Sequence, residues 1–278
     1  MNPHSSLHKV LTKDLLIREY IDNRLSTTEI GRKYNCHRDS VLFHLRKNNI
    51  PRRSSQEGHI KHFFNRAYFT TPNINNCYWA GLIAADGCLT KSNKTYALAL
   101  SHSIKDKIIL KAFQKAINFT GNISETTNHS GFSNNSTFSR ISLNNIDNDI
   151  FKDLNKYWNI TPRKTFTLKP PADYITDDLA LAYIIGYTDG DGCCNYHKNR
   201  NNCYFAVKLL GTRAVMLWIN EKLTNEVPPI NNRVVNVNKY NNTFSLEYHG
   251  QRAELIHKRL RSIPLDFRLP RKWNITYK

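Results

Sequence analysis

Acid is scarce in this chain. Asp and Glu number 22 against 40 Lys and Arg in 278 residues, a formal net charge of +18. Such an excess accepts self-repulsion and favours a polyanionic partner. Long apolar runs are also missing: none approaches membrane-spanning length, and the N-terminus carries no basic-then-apolar signal pattern. No long basic amphipathic helix is present that would lie on a membrane surface. The expectation is a soluble protein of the cytoplasm or an organellar matrix, with no membrane partner. Its six cysteines include no C-x-x-C pair and no zinc-ligand spacing, which points to reduced free thiols. What is abundant is Tyr, Phe, Arg, Lys and Asn, interleaved, a mixture better suited to nucleic acid than to an acidic protein surface.

Residues 12–48 read as three short helices. Thr12 to about Asn23 spaces Leu15, Leu16, Glu19 and Tyr20 amphipathically, and Ser26-Thr-Thr-Glu29 is a capping box opening a second helix with Ile30 and Tyr34 inward. Asn35-Cys36-His37 is a turn, and Arg38 to Asn48 a third helix burying Val41, Leu42 and Leu45. The pattern resembles the helix-turn-helix of site-specific recombinases and sigma factors. That resemblance implies a recognition helix showing Arg38, Asp39, Ser40 and His44 to a major groove. Arg46, Lys47, Arg52 and Arg53 cluster at its exit and suit phosphate contact. Residues 1–50 are thus expected to be a DNA-binding module, and 51–75 a basic linker.

From Asn76 onward the chain repeats itself. Asp86 recurs as Asp191, an offset of 105; Tyr96-Ala-Leu-Ala-Leu as Tyr204-Phe-Ala-Val-Lys, an offset of 108. Thr137-Phe-Ser recurs as Thr243-Phe-Ser, an offset of 106, and Pro162-Arg-Lys164 as Pro270-Arg-Lys272, an offset of 108. Each copy reads helix, strand, strand, helix, strand, strand, helix. In the first copy strands are expected around Cys88–Leu89, Tyr96–Ser101, Gly121–Glu125 and Phe138–Leu143, with helices over Asp106–Ile117 and Ile146–Trp158. The second gives helices over Ala214–Leu223 and Gln251–Leu260 and strands at Val234–Val237 and Phe244–Tyr248. Asn/Ser/Lys-rich stretches (Asn128–Ser136, Asn195–Asn202, Asn238–Asn242) suit hairpin tips. The fold class is α+β: two pseudo-symmetric αββαββα lobes (76–170 and 171–278) after a small all-α module.

Each lobe opens on an apolar helix ending in Asp-Gly. In Leu181–Gly192, Asp178 suits the N-cap and Gly192 the left-handed position past the end. Gly186 and Gly190 share a face that would let a second helix approach closely. Tyr78–Gly87 repeats the spacing with Gly81 and Ala85. Packed face to face, the two helices bring Asp86 and Asp191 together. Trp79-Ala-Gly-Leu-Ile-Ala-Ala-Asp-Gly87 and Ile184-Ile-Gly-Tyr-Thr-Asp-Gly-Asp-Gly192 resemble the two signature motifs of a single-chain LAGLIDADG homing endonuclease. Ala84 replaces the first acid of the first motif, and Asp189 keeps it in the second.

The resemblance covers Asn76 to the C-terminus. It implies a monomeric, site-specific double-strand DNA endonuclease of the homing type, with the sheets forming a β-saddle over DNA. It implies Mg²⁺, for which Mn²⁺ can substitute, bound by Asp86 and Asp191 with the carbonyls of Ala85 and Gly190. Lys164 and Lys272 fall where the family carries a basic active-site residue, and Arg163 and Arg271 share that motif. A polar residue near the second strand's end suggests His102 or Ser103, which Leu210-Gly211 does not match in the second copy. Candidate groove-facing residues are Lys91, Lys94, Arg140, Lys198, Arg200, Lys208, Arg233 and Lys239, reading an asymmetric site of about twenty base pairs. The alternatives are a regulator that binds DNA without cutting and a maturase that binds its host intron RNA.

Overall fold

Small residues set the arrangement of the larger part of the chain. The structure is a computed structural model that describes residues 11–23, 25–53, 62–92, 95–128, 136–146, 148–199, 202–230, 237–240 and 243–277. It divides into two compact units, Met1–Phe63 and Phe64–Lys278.

In the first unit, Thr12 caps α1 (Lys13–Leu16), which continues as a π-helical turn over Ile17–Asp22. Ser26 and Glu29 form the expected reciprocal box at the start of α2 (Thr27–Lys33). Asn35 turns the chain in left-handed backbone (φ 51°) towards α3 (Arg38–Lys47). Leu16, Tyr20, Ile30, Val41 and Leu45 form a core of their own. Buried Glu19 accepts hydrogen bonds from Lys33 (2.9 Å), Asn23 (3.2 Å) and Tyr34 (2.8 Å), which hold its carboxyl at about 2.

The second unit contains both repeats. Asn73 and Asn76 form a capping box at the start of α4 (Ile74–Asp86), which is followed by β1 (Cys88–Ser92) and β2 (Thr95–Ser103). Then come α5 (Lys107–Ala116), β3 (Ser124–Asn128), β4 (Ser136–Ile146) and α6 (Asn148–Trp158). The second lobe runs α7 (Asp177–Asp191), β5 (Gly192–Asn199), β6 (Asn202–Gly211), α8 (Arg213–Glu226), β7 (Asn238–Tyr240), β8 (Thr243–His249), α9 (Gly250–Arg261) and α10 (Pro270–Trp273). The antiparallel sheets have the same order, β1-β2-β4-β3 and β5-β6-β8-β7. One apolar core runs through both lobes by way of α4 and α7. No helix among the described residues is long and apolar enough to cross a membrane, and all six cysteines are unpaired.

Several expectations change. Thr176, not Asp178, occupies the cap of α7; Asp178 binds Arg259 at 2.9 Å. Gly192 is extended (φ −109°) because α7 passes straight into β5, and glycine is needed there for space. A Cβ on it would lie 2.6 Å from Thr188 O. Residues 64–75 belong to the second unit, where Phe69 is buried against Trp158 at 5.7 Å. The strands extend into the Asn-rich stretches, since backbone pairing does not depend on the apolar side chains used to place them. Asn195–Asn199 pairs with Asn202–Ala206, and β3 lies at Ser124–Asn128. The strand expected at Val234–Val237 falls largely outside the described residues, and Asn238–Tyr240 pairs with β8 instead.

The two strand echoes are each out of step by one residue. Leu89 pairs with Leu98 and Cys194 with Val207, so Leu98 corresponds to Val207 and Tyr96 to Phe205. Leu100 pairs with Ile141 and Leu209 with Leu246, so Phe244 corresponds to Ser139 rather than Phe138. Alternate residues face opposite sides of a sheet, so burial decides the alignment where identity of letters misleads.

Candidate active site between the two lobes

The helix pair α4–α7 approaches as closely as backbone allows. A Cβ on Gly186 would lie 1.8 Å from Tyr78 O, and one on Gly81 would lie 2.0 Å from Tyr183 O. At their C-terminal ends a Cβ on Gly190 would sit 2.4 Å from Ala85 Cβ and 3.1 Å from Asp86 Oδ2. The crossing therefore brings Asp86 to the end of α7, where Asp191 follows Gly190. Each aspartate is open to solvent on one side. Loss of water on the other sides raises both carboxyls. Asp191 is pushed up to about 6 by burial first and the charge of Asp86 second, whereas Lys272 and Lys164 pull Asp86 back.

Two buried lysines close this centre. Lys164 Nζ donates to Ala85 O at 3.2 Å; Lys272 Nζ donates to Thr188 O (2.8 Å), Asp189 O (2.7 Å) and Gly190 O (3.3 Å). Cations at helix C-termini satisfy otherwise orphaned carbonyls and the negative dipole end. Burial lowers both ammonium pKa values, and the neighbouring aspartates oppose that shift. The Ala85 and Gly190 carbonyls thus each accept one lysine hydrogen bond, which leaves each oxygen a second lone pair. Among the described residues no group of three or more His, Cys, Asp or Glu side chains is arranged to hold a metal. Two crowded carboxylates among helix-end carbonyls nonetheless fit a hard divalent cation that takes its other ligands from phosphate and water.

Asp189 is fully engaged elsewhere. It accepts from Tyr78 Oη (2.8 Å), Leu269 N (2.9 Å) and Trp273 Nε1 (2.6 Å) at 2% exposure. It therefore ties α4 and α10 to α7. Ala84 follows naturally, because its lobe places Thr165 where the second has Trp273, and an indole N–H needs an acceptor. Asp189→Asn is expected to cost about 2 kcal/mol, since an amide oxygen cannot serve all three donors; urea unfolding measures it.

His102 is the site residue that sequence matching left undecided. It is 8% exposed, its Nδ1 lies 3.7 Å from Asp86 Oδ2, and burial lowers its pKa to about 4. Strand register makes Gly211 its counterpart. A Cβ there would meet Tyr187 Oη at 2.3 Å, and that hydroxyl donates to Leu210 O at 2.9 Å. A tyrosine thus fills in lobe 2 the space a histidine fills in lobe 1. Arg271 is drawn instead to Asp106, across the lobes.

Register also sorts the sheet residues, because directly paired residues share a face. Arg140 pairs with Ser101, and Lys208 with Glu247, on the faces turned away from the core; Lys208 Nζ lies 2.6 Å from Glu247. Lys91 pairs with Tyr96 and lies over its ring at 5.6 Å, Lys198 pairs with Cys203, and Lys239 with Phe244. These three fall on the core-facing alternation, yet all are exposed, because the hairpin ends carry them past the core into solvent. His197 and Tyr204 stack on the outer face at 5.8 Å, which charge alone did not reveal. Lys94, Arg200 and Arg233 lie outside the described residues.

In the first unit, Arg38, Asp39, Phe43, Arg46 and Lys47 are exposed on α3, and Ser40 is half-buried. His44 is buried at 5% exposure, because it continues the i, i+3 stripe from Val41. Arg53 stacks over Tyr20 at 4.2 Å and donates to Leu25 O at 2.6 Å, so part of its guanidinium is engaged within the unit. Arg52 is exposed.

No protein-family profile and no curated protein matches the sequence. Solved structures do. The homing endonuclease I-WcaI, bound to its DNA recognition sequence, is 13% identical with a TM-score of 0.54, covering 76% of this chain and 92% of its own. The LAGLIDADG homing endonuclease I-LtrWI, bound to target DNA, is 13% identical with a TM-score of 0.45, covering 76% and 88%. At this identity the likeness is one of architecture: the chain shares the two-lobed α+β fold of the homing endonuclease I-WcaI, as the LAGLIDADG resemblance of its two helices led one to expect.

Proposed function

We propose that this chain is a site-specific double-strand DNA endonuclease acting as a monomer, with Asp86 and Asp191 as its acids. The observation that carries this reading is the meeting of two helix-end carboxylates, raised in pKa by burial, beside two buried lysines. An acid pair so placed is costly in isolation and is relieved by cations. Asp86 and Asp191 are the residues that would hold Mg²⁺ or Mn²⁺, and such a metal, when bound, would generate the nucleophile and stabilise the leaving oxygen. Lys164 and Lys272 contribute fixed positive charge where negative charge grows on the phosphate. Arg140 and Lys208, at non-equivalent positions of the two sheets, suit an asymmetric site. Retention of both acids weighs against a regulator that only binds. The test is incubation with Mg²⁺ and a plasmid library carrying the fused sequences that flank the gene. Site-specific linearisation supports the reading; tight binding with no cutting of any such sequence overturns it.

The first unit supplies a second DNA contact through Arg38, Ser40, Arg46, Lys47 and Arg52. Removing residues 1–63 is expected to weaken binding roughly tenfold or more, as loss of a tethered module does, and to shorten the footprint at one end. Footprinting at fixed salt checks it, since phosphate contacts make affinity salt-dependent. An unchanged footprint would leave the unit without a DNA role.

A further inference from the structure

The turn at Pro270–Trp273 faces two ways. Lys272 points inward, its Nζ held by three carbonyls at the end of α7. Its neighbour Arg271 crosses to lobe 1 and forks onto Asp106, Nε to Oδ1 at 2.9 Å and Nη2 to Oδ2 at 2.8 Å. A two-point fork fixes direction as well as distance. Asp106 is well covered (13% side-chain exposure) and occupies the cap position of α5, where its carboxylate makes no capping bond and is left to Arg271.

Among the described residues, nothing equivalent exists on the other side. Arg163 is exposed, sits in left-handed backbone (φ 59°) and makes no ion pair among the described residues. The matching helix start, Thr212-Arg-Ala-Val215, contains no acid. Lys164 correspondingly reaches one carbonyl where Lys272 reaches three.

We infer that Arg271 and Asp106 form a positioning pair that orients Lys272, and that this pair serves one of the two strand cuts more than the other. The inference rests on the nuclease reading. Its test uses the full chain, a cognate duplex end-labelled on each strand in turn, and single-turnover cleavage in Mg²⁺. Arg271→Ala and Asp106→Ala are each expected to slow one strand about tenfold more than the other, the scale of a small misplacement. Nicked duplex should accumulate, while affinity in chelator stays within about twofold. Arg271→Lys, which keeps the charge and loses the fork, should show the same bias in weaker form and covers the case of an alanine variant that does not fold. The exchange D106R/R271D should recover part of the lost balance. Equal slowing of both strands, or a change confined to affinity or melting temperature, would overturn the inference and leave the nuclease standing. If the unaltered chain cuts neither strand, both fall.

Discussion

Asp191→Asn is expected to lower DNA cleavage about 10³-fold or more, as loss of a metal-holding acid does, while duplex affinity in chelator is nearly unchanged. The amide keeps the shape of the side chain at the end of α7 and removes one charge of the pair. Asp86 would then stand alone against Lys164 and Lys272, a set that attracts no divalent cation. The same change should make the metal-free fold more stable at neutral pH. The carboxyl of Asp191 is raised to about 6 in the folded state from an ordinary value near 3.8, so the fold holds its proton more tightly than the unfolded chain. Stability from this group is therefore greatest below about pH 4, falls between pH 4 and 6, and is level above. Removing the ionised acid recovers that loss. Water on the open side screens much of it, leaving about 1 kcal/mol, or roughly 2–4 °C in melting temperature. Calorimetry at pH 7.5 beside a cleavage assay tests both halves. Joint loss of stability, binding and cutting would make Asp191 a structural residue.

What the sequence made legible was the part governed by backbone rules. Gly81, Gly186 and Gly190 announce a close helix contact because only hydrogen fits there, and the two Asp-Gly endings mark where both helices stop. Binary burial along the strands likewise foretold two matching sheets. What stayed hidden depends on register or on long-range partners. Matching Tyr96 to Tyr204 by letter put the second strand one residue out, which exchanged the two faces and concealed that Gly211 stands opposite His102 in the repeat. Lys91, Lys198 and Lys239 show the same limit: charge was visible but its side of the sheet was not. Lys272 was placed near the acids by its repeated motif, yet no pattern told that it would bond three carbonyls. Asp106 stood only as the first residue of an expected helix, and nothing in the pattern tied it to Arg271 across the lobes. His44 was taken for a polar residue on an exposed face, although its spacing from Val41 already put it on the buried stripe.

Gly186→Ala tests the helix crossing on which the site depends, and its expected sign is the informative part. In an isolated helix interior, alanine is better than glycine by about 1 kcal/mol. Here the added methyl would lie 1.8 Å from Tyr78 O, 2.7 Å from Tyr78 C and 2.9 Å from Leu82 N. All three are backbone atoms of α4, so no rotamer change relieves the clash and the helices must separate. Separation opens the packed core of both lobes, where overpacking costs about 3 kcal/mol or more. The expected fall in melting temperature is roughly 6–12 °C, with a parallel loss of cutting because Asp86 and Asp191 move apart. Leu217→Ala, on the exposed face of α8, is the control and should change little. If Gly186→Ala melts at or above the temperature of the unaltered chain, the two helices do not cross this closely, and the pairing of the two acids loses its structural basis.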